Sequence, residues 1–282
     1  MTDAASVVAS AKELAVLPSS YLRLSKVLDA RAASAEQVAE AVKLDPTLTA
    51  RLLKLANSAA FSPAKRVDSV AQATVMVGTS TLRRLALATG IVTMFRGIPE
   101  HLLSMSSFWT HSVGVGATAY LLALRARTVR AESAFVAGLL HDVGSLLICL
   151  RQPHEARTVL FEAERLNRPH PSVELEILGF THADVGGLLL ERWGLPGAEV
   201  AAAAFHHDPN GASAALRPMV DLVHVADVIV SSLQLGSAGE RAANPLEPEA
   251  WNRTGLRSRD INALVGQLER QMGGLVDAIV GG

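Results

Sequence analysis

Residues 137–144 read Ala137-Gly138-Leu139-Leu140-His141-Asp142-Val143-Gly144, and the rest of the chain is organised around them. An imidazole and a carboxylate interrupt an apolar run that a glycine has already broken. Burying an ionised Asp without a partner costs several kcal/mol, so this dipeptide demands a metal, a hydrogen-bond network or a nearby cation. Candidates for that company lie on both sides: His111 upstream, then His182, His206, His207 and Asp227 downstream.

Together these residues form a mixed nitrogen and oxygen donor set. Imidazole with carboxylate suits iron, manganese, nickel or zinc, and the lack of thiolates argues against a structural zinc site. One or two divalent transition metals fit such a set. Two cations sharing one carboxylate would activate water for in-line attack on a phosphoester. On a helix, His206 and His207 would point about 100° apart. Either one ligates and the other stands behind it, or two ions are present. Asp227 lies in the apolar run Val220–Ile229, where His224, three residues earlier on the same face, is expected to support it.

Ala and Leu dominate, aromatics are few and β-type alternation is absent, which predicts an all-α fold. Ser34 with Gln37 reads as a capping box for a helix over 35–44, and Asp45-Pro46 as the cap and first residue of the next. Leu48, Leu52, Leu55, Ala56 and Ala59 share one face of that helix, which ends over 57–61 and is broken by Ser62-Pro63. Asn57 reads as a cap or a buried bracket. A short helix capped by Ser69, a turn at Gly78 and a second helix bearing Arg83 and Arg84 outline a helix-turn-helix. The second helix continues Leu85, Leu87, Ile91 and Phe95, too apolar to lie in a groove, and two arginines neutralise little phosphate. Nucleic-acid binding is therefore disfavoured.

Ile98-Pro99-Glu100 is expected to open a helix that carries His111 and runs to about Arg127, followed by one helix over 131–150 bearing His141 and Asp142. Thr181 with Asp184 reads as a capped start beside His182, and a helix after Trp193-Gly194-Leu195-Pro196 reaches His206 and His207. At the end, Ile261, Leu264, Val265, Leu268, Met272, Leu275 and Ile279 share one face of an amphipathic helix over 258–280. It packs on the body or forms the seam of a homodimer.

The totals set outer bounds. A chain of 282 residues, 49% hydrophobic and 19% charged, is a folded protein of one large domain or two smaller ones. A net charge of −1 gives no bulk argument for nucleic acid or an anionic membrane. The single cysteine, Cys149, sits among Leu146, Leu147, Ile148 and Leu150, excludes an internal disulfide and reads as a buried structural thiol. The N-terminus shows no secretory signal and no apolar run of about 18 residues stands out, so a soluble, cytoplasmic protein without membrane contact is expected.

The chain resembles the HDOD family, the HD-related output domains of bacterial signalling proteins, over residues 14–235. The resemblance rests on Leu17-Pro18, Asp45-Pro46-Thr47-Leu48, Leu55-Ala56-Asn57-Ser58-Ala59, the Ser69–Gly78 segment, Phe108-Trp109-Thr110-His111-Ser112, the 137–144 stretch, His182-Ala183-Asp184-Val185-Gly186, Trp193-Gly194-Leu195-Pro196 and His206-His207. It implies an all-helical bundle, an N-terminal helical subdomain packed on an HD-like core, and a role in signal transduction, often as a response-regulator output. The corresponding division is 1–100, 101–235 for the HD-like core, and 236–282 for a linker and the last helix. By similarity to the HD superfamily, His111, His141, Asp142 and Asp227 match the core metal ligands. His182, His206 and His207 match the additional histidines of the HD-GYP cyclic-di-GMP phosphodiesterases, with Asp142 as the bridging ligand. Two departures speak against cyclic-di-GMP turnover: Ser145 stands where that pattern has a lysine, and Asp208-Pro209-Asn210-Gly211 replaces the Gly-Tyr-Pro motif. The expectation is a module that binds a signalling protein in trans (receiver, kinase or cyclase type) or a nucleotide. The alternative is a metal-dependent phosphohydrolase acting on a nucleotide or other phosphoester.

Overall fold

The structure, a computed structural model, describes residues 3–14, 16–30, 33–57, 65–95, 97–239 and 244–279. It is all-helical, with no strand among the described residues. The chain divides into two compact units, one of residues 1–16 with 97–265 and one of residues 17–96 with 266–282. This division differs from the sequence-based one in grouping residues 1–16 and 236–265 with the unit that carries the donor residues.

The smaller unit packs the helices Ser19–Leu28, Ala35–Lys43, Pro46–Ala56 and Val70–Met94. Ser34 and Gln37 form the expected capping box, Asp45 caps the helix that Pro46 opens, and Ser69 accepts from the Gln72 N–H. Gly78 breaks the last helix with φ 79°, a conformation that glycine adopts without strain. Asn57 is the expected bracket: its amide donates to the Leu53 and Val67 carbonyls and accepts from the Val67 N–H. The helix that Pro46 opens ends at Ala56 with Asn57 as its cap, whereas Ala59 of its expected apolar face and the Ser62-Pro63 break lie outside the described residues. Arg83 pairs with Asp29 at 2.8 Å, so one of the two helix-turn-helix arginines is engaged inside this unit.

The larger unit is built on the helix Met105–Ala126, which begins at the Ser104 cap, several residues later than Pro99 suggested. It packs against Ala131–Leu140 and Arg217–Ser232, and Gly197–Phe205 packs against both of these. Gly138 permits the first approach: a Cβ there would stand 2.9 Å from Gly116 Cα. The single helix expected over 131–150 is two, Ala131–Leu140 and Val143–Arg151, with His141 and Asp142 at the corner. The whole 131–151 stretch is long and apolar enough to cross a membrane by length and composition, contrary to the sequence reading. Its most apolar window is 78% buried inside the protein, as a core segment is. At Gly144 a Cβ would collide with the His182 carbonyl, which brings Val143–Arg151 against the helix His182–Arg192.

Described residues of the segment after 235, expected to be a linker, are packed. Ser237 N–H donates to the Ser107 carbonyl, and the helix Pro248–Thr254 places Arg253 against both oxygens of Asp221. Ser258–Ile279 is the expected last helix, and Leu264 enters the core beside Leu222, Val223 and Val225. Of its predicted face, the side chains of Met272 and Leu275 lie outside those described.

Candidate metal centre

All seven candidate donors converge in the larger unit. His111 lies inside the helix Met105–Ala126, and His141 and Asp142 stand at the corner between two helices. His182 is the first residue of a helix whose Thr181 and Asp184 form a capping box, and Asp227 lies within Arg217–Ser232. The helix Gly197–Phe205 ends before the two adjacent histidines. This last point changes the expectation of two rings 100° apart. Off the helix, the His206 and His207 rings lie 3.9 Å apart, and their Nε2 atoms both approach His182 Nε2, at 3.4 and 2.9 Å.

Asp142 sits between two groups. Its Oδ2 is 2.9 Å from His141 Nε2 and 3.6 Å from His111 Nε2, and Asp227 Oδ1 closes that side at 3.2 Å from His111 Nε2. Its Oδ1 is 3.3 Å from both His182 Nε2 and His206 Nε2. His111, His141 and Asp142 form one cluster of donors able to hold a metal ion, and Asp142, His182, His206 and His207 form the other. All are buried except His207, which is partly exposed.

Hydrogen bonds set the imidazole tautomers. His141 Nδ1 lies 2.7 Å from the Gly138 carbonyl, His206 Nδ1 2.9 Å from the Ala203 carbonyl and His182 Nδ1 2.7 Å from Glu174 Oε2. Carbonyl and carboxylate oxygens only accept, so each Nδ1 carries the proton and each Nε2 is turned inward. His141 Nε2 is buried and, although close to Asp142, aligned with no hydrogen-bond partner. Such an atom calls for a partner that the protein does not supply, and a metal ion fits it. His111 differs, because its buried Nδ1 has no hydrogen-bond partner.

The electrostatics without metal are mixed. Burial resists charge on His141, but Asp142 and Asp227 outweigh it and push the ring up to about 9. Burial likewise opposes charge on His182, and Glu174 and Asp142 draw it well above the usual value. Burial lowers His206, and burial with the neighbouring His206 and His182 rings lowers His207 further. Burial pushes Asp142 and Asp227 up; the histidines prevail and hold both carboxyls low.

Two supports behave differently from the sequence reading. His224 does not brace Asp227: its Nδ1 donates to the His206 carbonyl at 2.7 Å and its Nε2 accepts from the Glu247 N–H at 2.9 Å. Ser231 Oγ donates to Asp227 instead, at 3.1 Å. Glu174, which the sequence reading does not single out, is buried and takes both the backbone N–H and the Nδ1 proton of His182. Its one sequence signal is a carboxylate placed among apolar residues two turns before a capped histidine.

Comparison with known proteins places these features. A curated protein of Treponema pallidum (strain Nichols), itself uncharacterized, is 25% identical over 233 residues, which is 82% of this chain and 44% of that protein. The chain thus spans less than half the length of that relative. An HDOD domain protein of unknown function from Geobacter sulfurreducens is 27% identical, with a TM-score of 0.78 over 94% of this chain and 91% of the other. A provisionally named phosphohydrolase from Shewanella amazonensis SB2B is 25% identical, with a TM-score of 0.72 over 97% of this chain and 98% of the other. The HDOD domain family model matches residues 14–209. The chain belongs to the HDOD domain family.

Proposed function

We infer that this protein is an HDOD signal-transduction module whose core would hold two divalent transition metals, drawn from iron, manganese, nickel and zinc, on two donor groups that share Asp142. The observation that carries this reading is the division of the Asp142 carboxylate, one oxygen toward His111 and His141 and the other toward His182 and His206. A carboxylate so placed is disposed to bridge. Gly138, Ala203 and Glu174 hold the Nδ1 protons of His141, His206 and His182, so each Nε2 presents a lone pair. His224 fixes the His206 carbonyl and with it the turn that carries His207. When bound, the metal pair supplies Lewis acidity and a lowered water pKa, the chemistry of phosphoester hydrolysis.

The second reading, a phosphohydrolase acting on a nucleotide or other phosphoester, is supported by the same carboxylate and by the name of the Shewanella relative. Burial of the donors and Ser145 in the lysine position weigh toward the first. Under that reading the protein acts in the cytoplasm on receiver, kinase or cyclase-type proteins in trans, with self-association as a further mode.

The test is metal content per chain by elemental mass spectrometry after anaerobic loading, alongside hydrolysis of a phosphoester panel. About two equivalents without turnover is the expected result. Turnover that disappears in Asp142→Asn would establish the hydrolase. No metal under any loading condition would reject the centre.

A further inference from the structure

A cavity of about 700 Å³ in the larger unit lies outside the donor cluster, a volume in the range of small-molecule sites. Its walls come from the segment before the His111 helix, the helix Pro153–Leu166, the turn into His170–Leu178, and residues near Gly239. The chemistry of those walls is uneven. Leu102, Leu103 and Leu160 make an apolar floor, and Phe161, 62% exposed, stands at the rim. Arg157 is exposed and has no ion pair among the described residues. Arg168 pairs with Glu176 at 2.8 Å at the surface and donates to the Ser172 carbonyl at a long 3.5 Å, contacts that exchange at little cost. His101 also lines the cavity, and among the described residues the one acidic lining side chain is Glu164.

His170 is the independent observation. It lines this cavity, is only 8% exposed, and its side chain makes no hydrogen bond to another described residue. Buried polar side chains almost always have a partner, so a buried imidazole bordering an open cavity marks where a ligand's acceptor belongs.

We propose that this cavity binds a nucleoside phosphate, its base on the apolar floor beside Phe161 and its phosphate between Arg157 and Arg168 within reach of His170. Guanidinium groups recognise phosphate oxygens in pairs and stack on planar rings. Inorganic phosphate alone would leave the floor uncovered, and an apolar molecule would leave Arg157 and His170 unused.

The site is also placed to act on the centre, a consequence that rests on the metal reading. Beneath it a cavity of about 20 Å³, also lined by Leu103, Leu160 and His170, reaches Ser145 and Glu174. Glu174 is the carboxylate that orients His182. An occupant that engages His170 therefore bears on a metal ligand through one intervening side chain, and by linkage metal and nucleotide change each other's affinity by the same factor.

The experiment titrates mant-GDP and mant-ADP into the full chain, wild type, Arg157→Glu and Asp142→Asn, with unlabelled nucleotide and guanosine as competitors. Saturable binding is expected, weakened about tenfold or more by Arg157→Glu and retained in Asp142→Asn. Unlabelled GDP should compete and guanosine should not. Arg157 is exposed, and a circular-dichroism melt confirms that its variant folds. Binding lost in Asp142→Asn but intact in Arg157→Glu puts the nucleotide on the donor cluster and overturns the proposal. So does competition by guanosine equal to that by GDP, or no saturation by about 1 mM. Metal content measured on the same samples separates the two readings: a metal-free protein that still binds mant-GDP retains this site and loses the centre.

Discussion

The two donor groups that Asp142 divides differ in charge and in exposure. On one side His111 and His141 face two carboxylates, Asp142 and Asp227, and every side chain is buried. On the other, His182 and His206 face the second Asp142 oxygen, Glu174 stands behind His182, and His207 reaches a partly exposed edge. The first group turns two carboxylates toward an ion in a drier setting and should hold a divalent ion more tightly; the second, rich in imidazole with its further carboxylate behind a ring, should exchange its ion and favour borderline metals. Asp142 thus stands between an enclosed half and a more open one.

The largest expected effect is that of Asp142→Asn, which replaces one carboxylate oxygen with an NH2 donor. Metal content by elemental mass spectrometry should fall from about two equivalents to below one. Loss from only one half would mean that Asp142 serves that half alone.

Next comes the contrast between halves. His141→Ala should cost a metal equivalent and about 3 kcal/mol of stability in urea unfolding, because it empties a buried position and orphans the Gly138 carbonyl. His207→Ala should also cost an equivalent but less than about 1 kcal/mol, since the ring is partly exposed. Equal stability losses would erase the distinction drawn here.

Glu174→Gln sharpens it further. An amide oxygen still accepts from His182 but carries no charge, so metal affinity of the histidine-rich half should fall about 10-fold to 100-fold in chelator competition, with the other half unchanged.

A pH series on chelated protein isolates the enclosed half. His141 is raised from 6.5 to about 9 by its carboxylate neighbours against the opposition of burial. Its contribution to metal-free stability is complete below 6.5 and is lost as pH climbs through about 9. The thermal midpoint of the chelated protein should therefore fall across that window. Metal-loaded protein should not follow, because the ion displaces that proton and binds better as pH rises. Parallel curves for both forms would count against His141 as a ligand.

The smallest effect concerns Cys149. Burial, with the Glu174 charge, pushes its thiol up to about 12, so iodoacetamide should leave the native protein unmodified and label it in denaturant. Cys149→Ser should leave the metal content of both halves unchanged.

Much of this was legible in advance because it is local. Ser34 with Gln37, Asp45 with Leu48, Ser69 with Gln72 and Thr181 with Asp184 are contacts three residues apart, and the chain order alone establishes them. The donor types were legible too, since an His-Asp pair in an apolar stretch cannot be buried without company. Glu174 was not, because a carboxylate in a helical stretch reads as solvated until the fold brings it behind His182. His224 was assigned to Asp227 by helical spacing, yet its ring turns toward the His206 carbonyl of a different segment.

From the amino-acid order alone come the all-helical character, the side-chain-capped starts at Ser34, Asp45, Ser69 and Thr181, and the inventory of imidazoles and carboxylates. Tertiary structure decided where helices stop: at Leu140, so that Asp142 occupies a corner with an oxygen for each side, and at Phe205, so that His206 and His207 face one partner. The physical reason is range. A cap closes within one turn of backbone, whereas a helix end in the core depends on what packs against it, and here Gly144 lets the His182 helix approach closely enough to bring donors 40 residues apart into contact.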